Sequence, residues 1–438
     1  MKIHVISILF KRIKNVRKKL KGAWIIHHAL KLNEIKYSDS TFDNTLTAGK
    51  AGLLLSSLSK DDESEINSSK VQALSTYVGI SNLERKPLLE LLKEKELIDY
   101  SKNGDVVTLG LTQHSILEHT ANIFNQSIDS FDNIENASIF LAEKASQEPI
   151  FQNEIKPLLS DEFKLTSDNL DYLFTSAETI GFTDVETLSD KGKLLFNGNL
   201  FKRQYSEKIG RVFQSLSVDE SIKINELNSI IRSEGCVAIN EGAHVLGQKL
   251  LDKLLPIGVY EVNIVSNSKE EIGFLTLPES FSKFGSNSIV DDTFDLAKAF
   301  ISSLKYGMTR SAYGRGQIQA IEPLLRKLIA GGQVGPVTAI GQDYRILELK
   351  GVVQVIPYAN DRFYLRLLKK EVGEIALLVL TSGNASEHAL ISDSLIPSTA
   401  ATQFSGPEIN RDLLRKKQVK VNPAATNNML DALRTGGI

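Results

Sequence analysis

The stretch from residue 305 to residue 316 reads KYGMTRSAYGRG and combines the residue types that a phosphate-binding loop needs. Its glycines let the backbone approach a phosphate closely, because they carry no Cβ. Arg310 and Arg315 can make bidentate contacts with phosphate or guanine, and Tyr306 and Tyr313 can stack or hydrogen-bond. The pattern favours a phosphate-contacting loop or, alternatively, a long turn between domains whose arginines pair with acidic residues from the middle of the chain.

A helix predicted over residues 318–330 would add to anion binding by this loop. The N-terminus of a helix presents free N–H groups and the positive end of the helix dipole. Gln317 and Gln319 stand at that end, where their amides would reach base edges if the helix entered the major groove of duplex DNA. Both glutamines therefore join the predicted nucleic-acid-binding residues.

Two further segments of the chain are basic. Residues 11–21 intersperse Lys and Arg with apolar residues, which predicts a basic amphipathic helix suited to DNA, an anionic membrane surface or an acidic partner. An unstructured N-terminal extension read from an upstream start codon is the alternative. Residues 411–420 form the second segment, and its predicted nucleic-acid-binding residues are Arg411, Arg415, Lys416 and Lys417.

Charge is distributed unevenly along the chain. The formal net charge of −2 divides into +9 for residues 1–36, −17 for residues 37–300 and +6 for residues 301–438. Lys and Arg supply most non-specific affinity for the phosphate backbone, whereas like charge opposes approach. We therefore expect duplex DNA to bind at the basic ends and a protein partner to contact the acidic middle.

The histidines and the single cysteine do not form a metal-site pattern. His114 and His119 flank Glu118, but they are five residues apart and therefore about 140° apart around a helix, whereas a zinc pair needs a spacing of four. Cys236, as the only cysteine, excludes a disulfide within the chain and a four-thiolate zinc site. We predict no metal and no cofactor.

Recognisable catalytic motifs are missing from the sequence. It holds no Walker A pattern, no Gly-x-Ser-x-Gly, and no Gly-x-Gly-x-x-Gly after a strand. We therefore name no catalytic residue and predict a protein that is not an enzyme, with a hydrolase whose acidic residues converge only in space as the weaker alternative. No apolar run approaches the ~20 residues of a membrane-spanning helix, which predicts no membrane span and a cytoplasmic location.

A weak internal repeat gives the clearest information about the fold. A helical segment, a short tag and a hairpin recur about every 80 residues, with tags at residues 97–100, 180–182 and 257–260. In the first copy, helices predicted over residues 70–78 and 83–95, the second capped by Ser81, precede the turn Asn103-Gly104 between two β-rich runs. This stretch, from Lys50 to Leu109, resembles the bacterial winged-helix superfamily; ordinary helix–hairpin α+β units are the alternative.

The later copies show related patterns. The second has a helix predicted over residues 168–180, capped by Ser167 and ended by Gly181, and a hairpin with strands at 182–185 and 194–196. The predicted elements of the third are helices at 222–232 and 242–255 and strands at 260–265 and 272–277. Those of the fourth are helices at 291–304 and 318–330, strands at 344–349, 352–357 and 363–368, a turn at 359–361, and a helix at 371–380.

The predicted fold class is α+β, mostly helical, with three to four tandem winged-helix-like units and short β-hairpin wings. The predicted domains are a basic N-terminal extension (1–36), unit 1 (37–125), unit 2 (126–204), unit 3 (205–290), a basic unit 4 (291–381) and a polar, basic, partly ordered tail (382–438).

The predicted function is that of a non-enzymatic DNA-associated adaptor or regulator. Its acidic middle units would make protein contacts, and its basic ends would hold nucleic acid. The alternative is a structural subunit of a multiprotein complex, such as a bacterial defence or regulatory complex, that makes no contact with DNA.

Overall fold

A computed structural model describes residues 2–35, 39–59, 65–109, 113–127, 133–188, 192–201, 203–266, 270–284, 288–387 and 390 of the chain. The fold is α+β and mostly helical, with 64% helix and small antiparallel sheets. Among the described helices, none is long and apolar enough to cross a lipid bilayer.

The chain begins with helices that surround a first hydrophobic core. The elements up to residue 127 are α1 (Lys2–Glu34), a 3-10 turn (Ser40–Phe42), α2 (Asp43–Ser59), α3 (Ser68–Tyr77), α4 (Asn82–Glu94), β1 (Ile98–Tyr100), β2 (Val106–Thr108) and α5 (Gln113–Ser127). The second half of α1 packs on α2 and α5. A Cβ on Gly49 of α2 would lie 2.2 Å from the Cβ of Ala29, so α1 and α2 approach each other closely. Apolar residues between Leu20 and Leu30, within the predicted N-terminal extension, are therefore part of this core.

The hairpin predicted at Asn103-Gly104 is confirmed. Ile98 pairs with Thr108, and the Leu109 N–H donates to the Leu97 carbonyl. Gly104 has a φ of +86°, the left-handed conformation that the turn requires. Ser81 caps α4 as predicted, in a capping box that is closed by Glu84.

Unit 2 forms around a second core. Its elements are α6 (Asn133–Gln147), β3 (Ile150–Phe151), α7 (Gln152–Phe163), α8 (Ser167–Ile180), β4 (Asp184–Leu188) and β5 (Gly192–Phe196). The next helix, α9 (Arg203–Gln214), contributes Ile209 to the core of unit 3. The cap prediction was wrong by one residue, because the Thr166 hydroxyl accepts the Asn169 N–H while Ser167 is the first helical residue. Gly181 ends α8 in the left-handed conformation, as predicted.

Unit 3 continues with α10 (Val218–Glu234), β6 (Val237–Ala238), α11 (Ile239–Leu246), α12 (Gln248–Leu254), β7 (Glu261–Ser266), β8 (Glu271–Thr276) and α13 (Glu279–Ser282). The single helix predicted over residues 242–255 is two helices. Gly247, with φ +81° and ψ 144°, separates them because no helix continues through those angles.

Unit 4 departs most from the sequence-based prediction. Its elements are α14 (Ser288–Thr309), α15 (Tyr313–Gly316), α16 (Ile321–Ile329), β9 (Gln333–Val337), α17 (Ile340–Asp343), α18 (Arg345–Leu349), β10 (Val353–Tyr358), β11 (Arg362–Leu367) and α19 (Lys370–Ser382). The predicted strand over residues 344–349 is helical, and β9 was not predicted. The turn at Asn360 and Asp361, both with positive φ, is confirmed.

Within the described residues, the same order of elements occurs four times. A helix leads into a short strand, two helices follow, and a two-stranded hairpin closes each unit. In units 2 to 4 the short strand pairs with the last strand, giving the sheet orders β3-β5-β4, β6-β8-β7 and β10-β11-β9. In unit 1 the short strand is reduced to one bridge between Ile66 and Val106.

Candidate nucleic-acid interface

The predicted glycine loop is largely helical. α14 continues through Thr309, and residues 313–316 form the short helix α15. The prediction of an open loop over residues 305–316 was therefore wrong. The cause is burial: α14 is enclosed on every side from Phe300 to Gly307, including Leu304 and Tyr306, and a helix satisfies the backbone N–H and C=O groups of this buried segment.

Two of the predicted loop residues contact unit 3. Tyr306 is 1% exposed and donates its hydroxyl to Glu270 at 2.9 Å. Arg310 donates from Nη2 to the other carboxylate oxygen of Glu270, also at 2.9 Å. The hydrogen bonds from Arg310 and Tyr306 lower the pKa of Glu270. Arg310 thus pairs with an acidic residue of the middle of the chain, as one of the two interpretations of the loop expected.

Arg315 and Gln317 contact their own unit. Arg315 donates from Nη2 to Asp343 at 2.9 Å and to Gln342 at 2.9 Å. The Asp343 side chain is only 1% exposed. This ion pair therefore links α15 to α17 in a buried position. The Gln317 amide donates to the Met308 carbonyl at 3.0 Å. Both contacts hold the turn between α14 and α16 in place.

Tyr313 and Gln319 are exposed. Tyr313 keeps 83% of its surface accessible, and Gln319 lies two residues before Ile321, the first residue of α16. The structure thus brings the two arginines and Tyr306 to carboxylates, although the Arg310 side chain remains 52% exposed.

The other predicted basic residues are described only in part. Arg411, Arg415, Lys416 and Lys417 lie outside the described residues, as do the side chains of residues 11–17. At the end of the N-terminal basic segment, Lys18 donates to Asn122 at 3.1 Å, and Lys21 donates to Asn125 at 2.6 Å and Asn136 at 2.9 Å. Burial lowers the pKa of Lys21 to about 8.

The sheet of unit 4 presents an outer face that the sequence analysis did not identify. Its strands alternate, so that one set of side chains points to the core, including Val353, Leu365 and Leu367. The residues of the opposite face are Gln333 on β9, Gln354, Ile356 and Tyr358 on β10, and Arg362, Tyr364 and Arg366 on β11. We call this set the outer sheet face.

Register and exposure define the chemistry of the outer sheet face. Arg366 lies between Gln354 and Gln333 across the strands, and Arg362 lies opposite Tyr358. Tyr358 is 57% exposed, and its ring centre lies 5.5 Å from that of Tyr364 at an interplanar angle of 72°. Within the described part of the chain, no carboxylate forms an ion pair with Arg362 or Arg366.

A period-two signal marked this face in the sequence. Residues 362–367 read RFYLRL, in which Arg362, Tyr364 and Arg366 alternate with apolar residues. The strand itself was predicted over residues 363–368. The alternation does not show which set of side chains is covered. In the structure, α16 and α19 cover the apolar side, where Leu367 contacts Gly373.

The helix that would read DNA in a winged-helix arrangement has an apolar surface in unit 4. α18 is one turn long, and its side chains Ile346 and Leu349 are 64% and 83% exposed. Apolar groups of this kind suit a protein partner better than phosphates.

A buried charge cluster joins α6, unit 3 and the segment after α19. The Lys283 side chain, 4% exposed, donates to both carboxylate oxygens of Glu143 at 3.0 Å and lies 3.5 Å from Glu279. Glu279 also accepts from Arg232. Burial alone would raise the pKa of Glu279, but Lys283 and Arg232 bring its pKa below the ordinary value. The cluster is internally neutralised and holds these elements together.

A cavity of about 230 Å³ adjoins this cluster between α6 and α10. Its acidic lining residues are Glu148, whose pKa is raised by burial, and Glu279. A hydrolytic pair needs two carboxylates that can reach a substrate. Because two cations hold Glu279, the cavity does not favour the hydrolase alternative.

Histidine, cysteine and acidic side chains do not converge in the part of the chain that is described: no group of three there could hold a metal ion. Burial lowers the pKa of His119 and raises that of Cys236 to about 12. The side chain of His114 lies outside the described residues.

Comparison with known proteins gives no relative for this chain. No family model, no curated protein and no solved structure matches it.

Proposed function

We propose that this chain is a non-enzymatic, nucleic-acid-associated adaptor of four winged-helix-like units, with nucleic acid held by unit 4. The repeated order of elements supports the winged-helix interpretation, because the pairing of a short first strand with the last strand closes each unit in the same way. Such modules bind nucleic acid or partner proteins.

The outer sheet face is the observation that carries this proposal. Arg362 and Arg366 are exposed on one strand, about 13 Å apart at 3.3 Å per residue. Guanidinium groups bind phosphate in bidentate geometry. In contrast, Arg310 and Arg315 already pair with carboxylates. We therefore assign the contact with the phosphate backbone to the outer sheet face and not to the glycine-rich segment.

The acidic middle of the chain supports the adaptor part of the proposal. Residues 37–300 carry a net charge of −17, which opposes approach to nucleic acid and suits basic surfaces on a protein. A chain with one basic face and a long acidic region can hold a nucleic acid and a protein at the same time.

The test compares the full chain with a charge variant of the outer sheet face. Binding of a fluorescent 20-base-pair duplex and of one of its strands is measured by anisotropy at several salt concentrations. We expect R362A/R366A to weaken binding of both probes and to lower the salt slope by about 1.4 for the single strand and about 1.8 for the duplex, since each lost phosphate contact contributes about 0.7 or 0.9.

The matched control is K86A/R326A, which removes the same charge from exposed positions elsewhere. It is expected to bind as the wild type does. If the full chain binds neither probe at low salt, or if both double variants weaken binding equally, the assignment of nucleic-acid binding to the outer sheet face is wrong.

A structural subunit that makes no contact with nucleic acid is the second candidate, favoured by the exposed Ile346 and Leu349 of α18. On that function, neither nucleic-acid probe binds. In addition, light scattering shows that the chain associates through α18, and the variant I346S/L349S abolishes this association.

A further inference from the structure

We infer that the outer sheet face is a stacking platform for single-stranded nucleic acid. This inference rests on the proposed function and deepens it, because it names the form of nucleic acid that unit 4 binds. It starts from the two tyrosines, which phosphate binding alone does not require.

The two tyrosines lie beside the arginines on the outer sheet face. Along β11 the outward order is Arg362, Tyr364, Arg366, and Tyr358 stands next to this row on β10. Within the described residues, neither tyrosine hydroxyl has a hydrogen-bond partner. The position of the rings is therefore not explained by a hydrogen bond of either hydroxyl.

Ring geometry leaves stacking surfaces available. The centres are 5.5 Å apart and the planes meet at 72°, so the rings touch edge to face. Such a contact covers at most one face of one ring; Tyr358 keeps 57% of its surface exposed, and Tyr364 is half-buried. Aromatic rings next to arginines on a sheet are the arrangement on which successive unpaired bases stack.

A duplex fits this face poorly. Base faces in a duplex are covered by neighbouring base pairs, so that only groove edges and the backbone remain accessible. The major groove admits a helix or a two-stranded ribbon, whereas the outer sheet face spans three strands, β10, β11 and β9. A single strand can instead place its bases on Tyr358 and Tyr364 and its phosphates near Arg362 and Arg366.

An acidic peptide would satisfy only half of this chemistry. Its carboxylates would pair with the arginines, but nothing in it would require the ring faces. Gln354 and Gln333, on both sides of Arg366, add amide donors and acceptors that suit base edges, which carry both kinds of group. The face therefore favours a strand with bases over a chain of carboxylates.

The experiment uses the full chain with three probes: a 12-nucleotide thymidine strand, the duplex of the same length, and a 12-residue polyglutamate peptide as competitor. We expect the single strand to bind at least tenfold more tightly than the duplex. Y358A/Y364A should weaken single-strand binding tenfold or more, while Y358F/Y364F should retain it. Y205A, which removes an exposed tyrosine of α9 outside the sheet, is the matched control and should bind normally.

Cross-linking checks the same face without a substitution. Bromouracil in the single strand, irradiated on the wild-type protein, should attach to Tyr358 or Tyr364. If R362A/R366A weakens binding but Y358A/Y364A does not, or if duplex and single strand bind equally, the stacking inference is wrong and the proposed function stands. The stacking inference is also wrong if polyglutamate of equal charge displaces the single strand. Absence of binding to every nucleic-acid probe overturns both.

Discussion

Lys283 in the buried cluster and Arg366 on the outer sheet face are both basic side chains, but their surroundings are opposite. The Lys283 side chain is 4% exposed and lies between Glu143 and Glu279. Arg366 is exposed and lies between two glutamines across the strands. Burial would lower the pKa of Lys283, yet the two carboxylates raise it. A buried charge in this protein is thus matched within the chain, whereas the exposed charges of the outer sheet face remain available to a partner.

The largest expected effect tests the buried half of this comparison. K283M leaves Glu143 and Glu279 buried with one cation fewer, so we expect the free energy of unfolding to fall by about 3–5 kcal/mol. Urea denaturation measures it. The control K93M removes a lysine whose pair with Asp99 is exposed, and it should change stability far less. Equal losses in the two variants would show that burial does not distinguish these charges.

Arg315 and Arg310 provide a second comparison within the segment that was predicted to contact phosphate. R315A removes the cation that pairs with Asp343, whose side chain is 1% exposed, so we expect a loss of about 3 kcal/mol in thermal or urea unfolding. R310A breaks a pair at the surface and should leave stability almost unchanged. A reversed order would mean that Arg315 is not a structural contact.

Glu387 should make stability depend on pH. Burial raises its pKa to about 7 despite the nearby Lys283. The folded state therefore binds more protons than the unfolded state between pH 4.5 and 7, and the stability present below that window is lost as the pH rises through it. We expect this loss, about 3 kcal/mol, to be absent from E387Q. Comparing the variant with the wild type cancels the contribution of His28, whose pKa burial lowers to about 4. Parallel pH profiles would contradict the assignment.

The smallest effect belongs to the outer sheet face. Y358A/Y364A loses one edge-to-face ring contact at the surface, so we expect at most about 1 kcal/mol of destabilisation, measured by thermal unfolding. The variant should fold and keep its helical circular dichroism. A loss as large as that of K283M would place these rings in the core and would break the contrast between the two regions.

Part of the fold could be predicted because it depends on neighbours in sequence. Asn103-Gly104 determined the hairpin of unit 1, and Ser81 capped α4, since turn angles and capping bonds involve residues two to four apart. The sequence-based prediction was wrong for residues 305–309, predicted as a loop, and for residues 345–349, predicted as a strand. Both segments are helical. Packing of the whole unit decided those elements.

The sequence by itself determined the α+β class, the repeat of helices and hairpins, and the uneven charge along the chain, because periodicity and composition are local properties. Only the tertiary structure decided which charges are used internally. Arg310 meets Glu270 and Lys283 meets Glu143 across 40 and 140 residues, distances over which spacing in sequence carries no information. Likewise, only the packing of the helices on one side of β11 made Arg362, Tyr364 and Arg366 an open face, since alternation shows that a strand has two faces but not which one is covered.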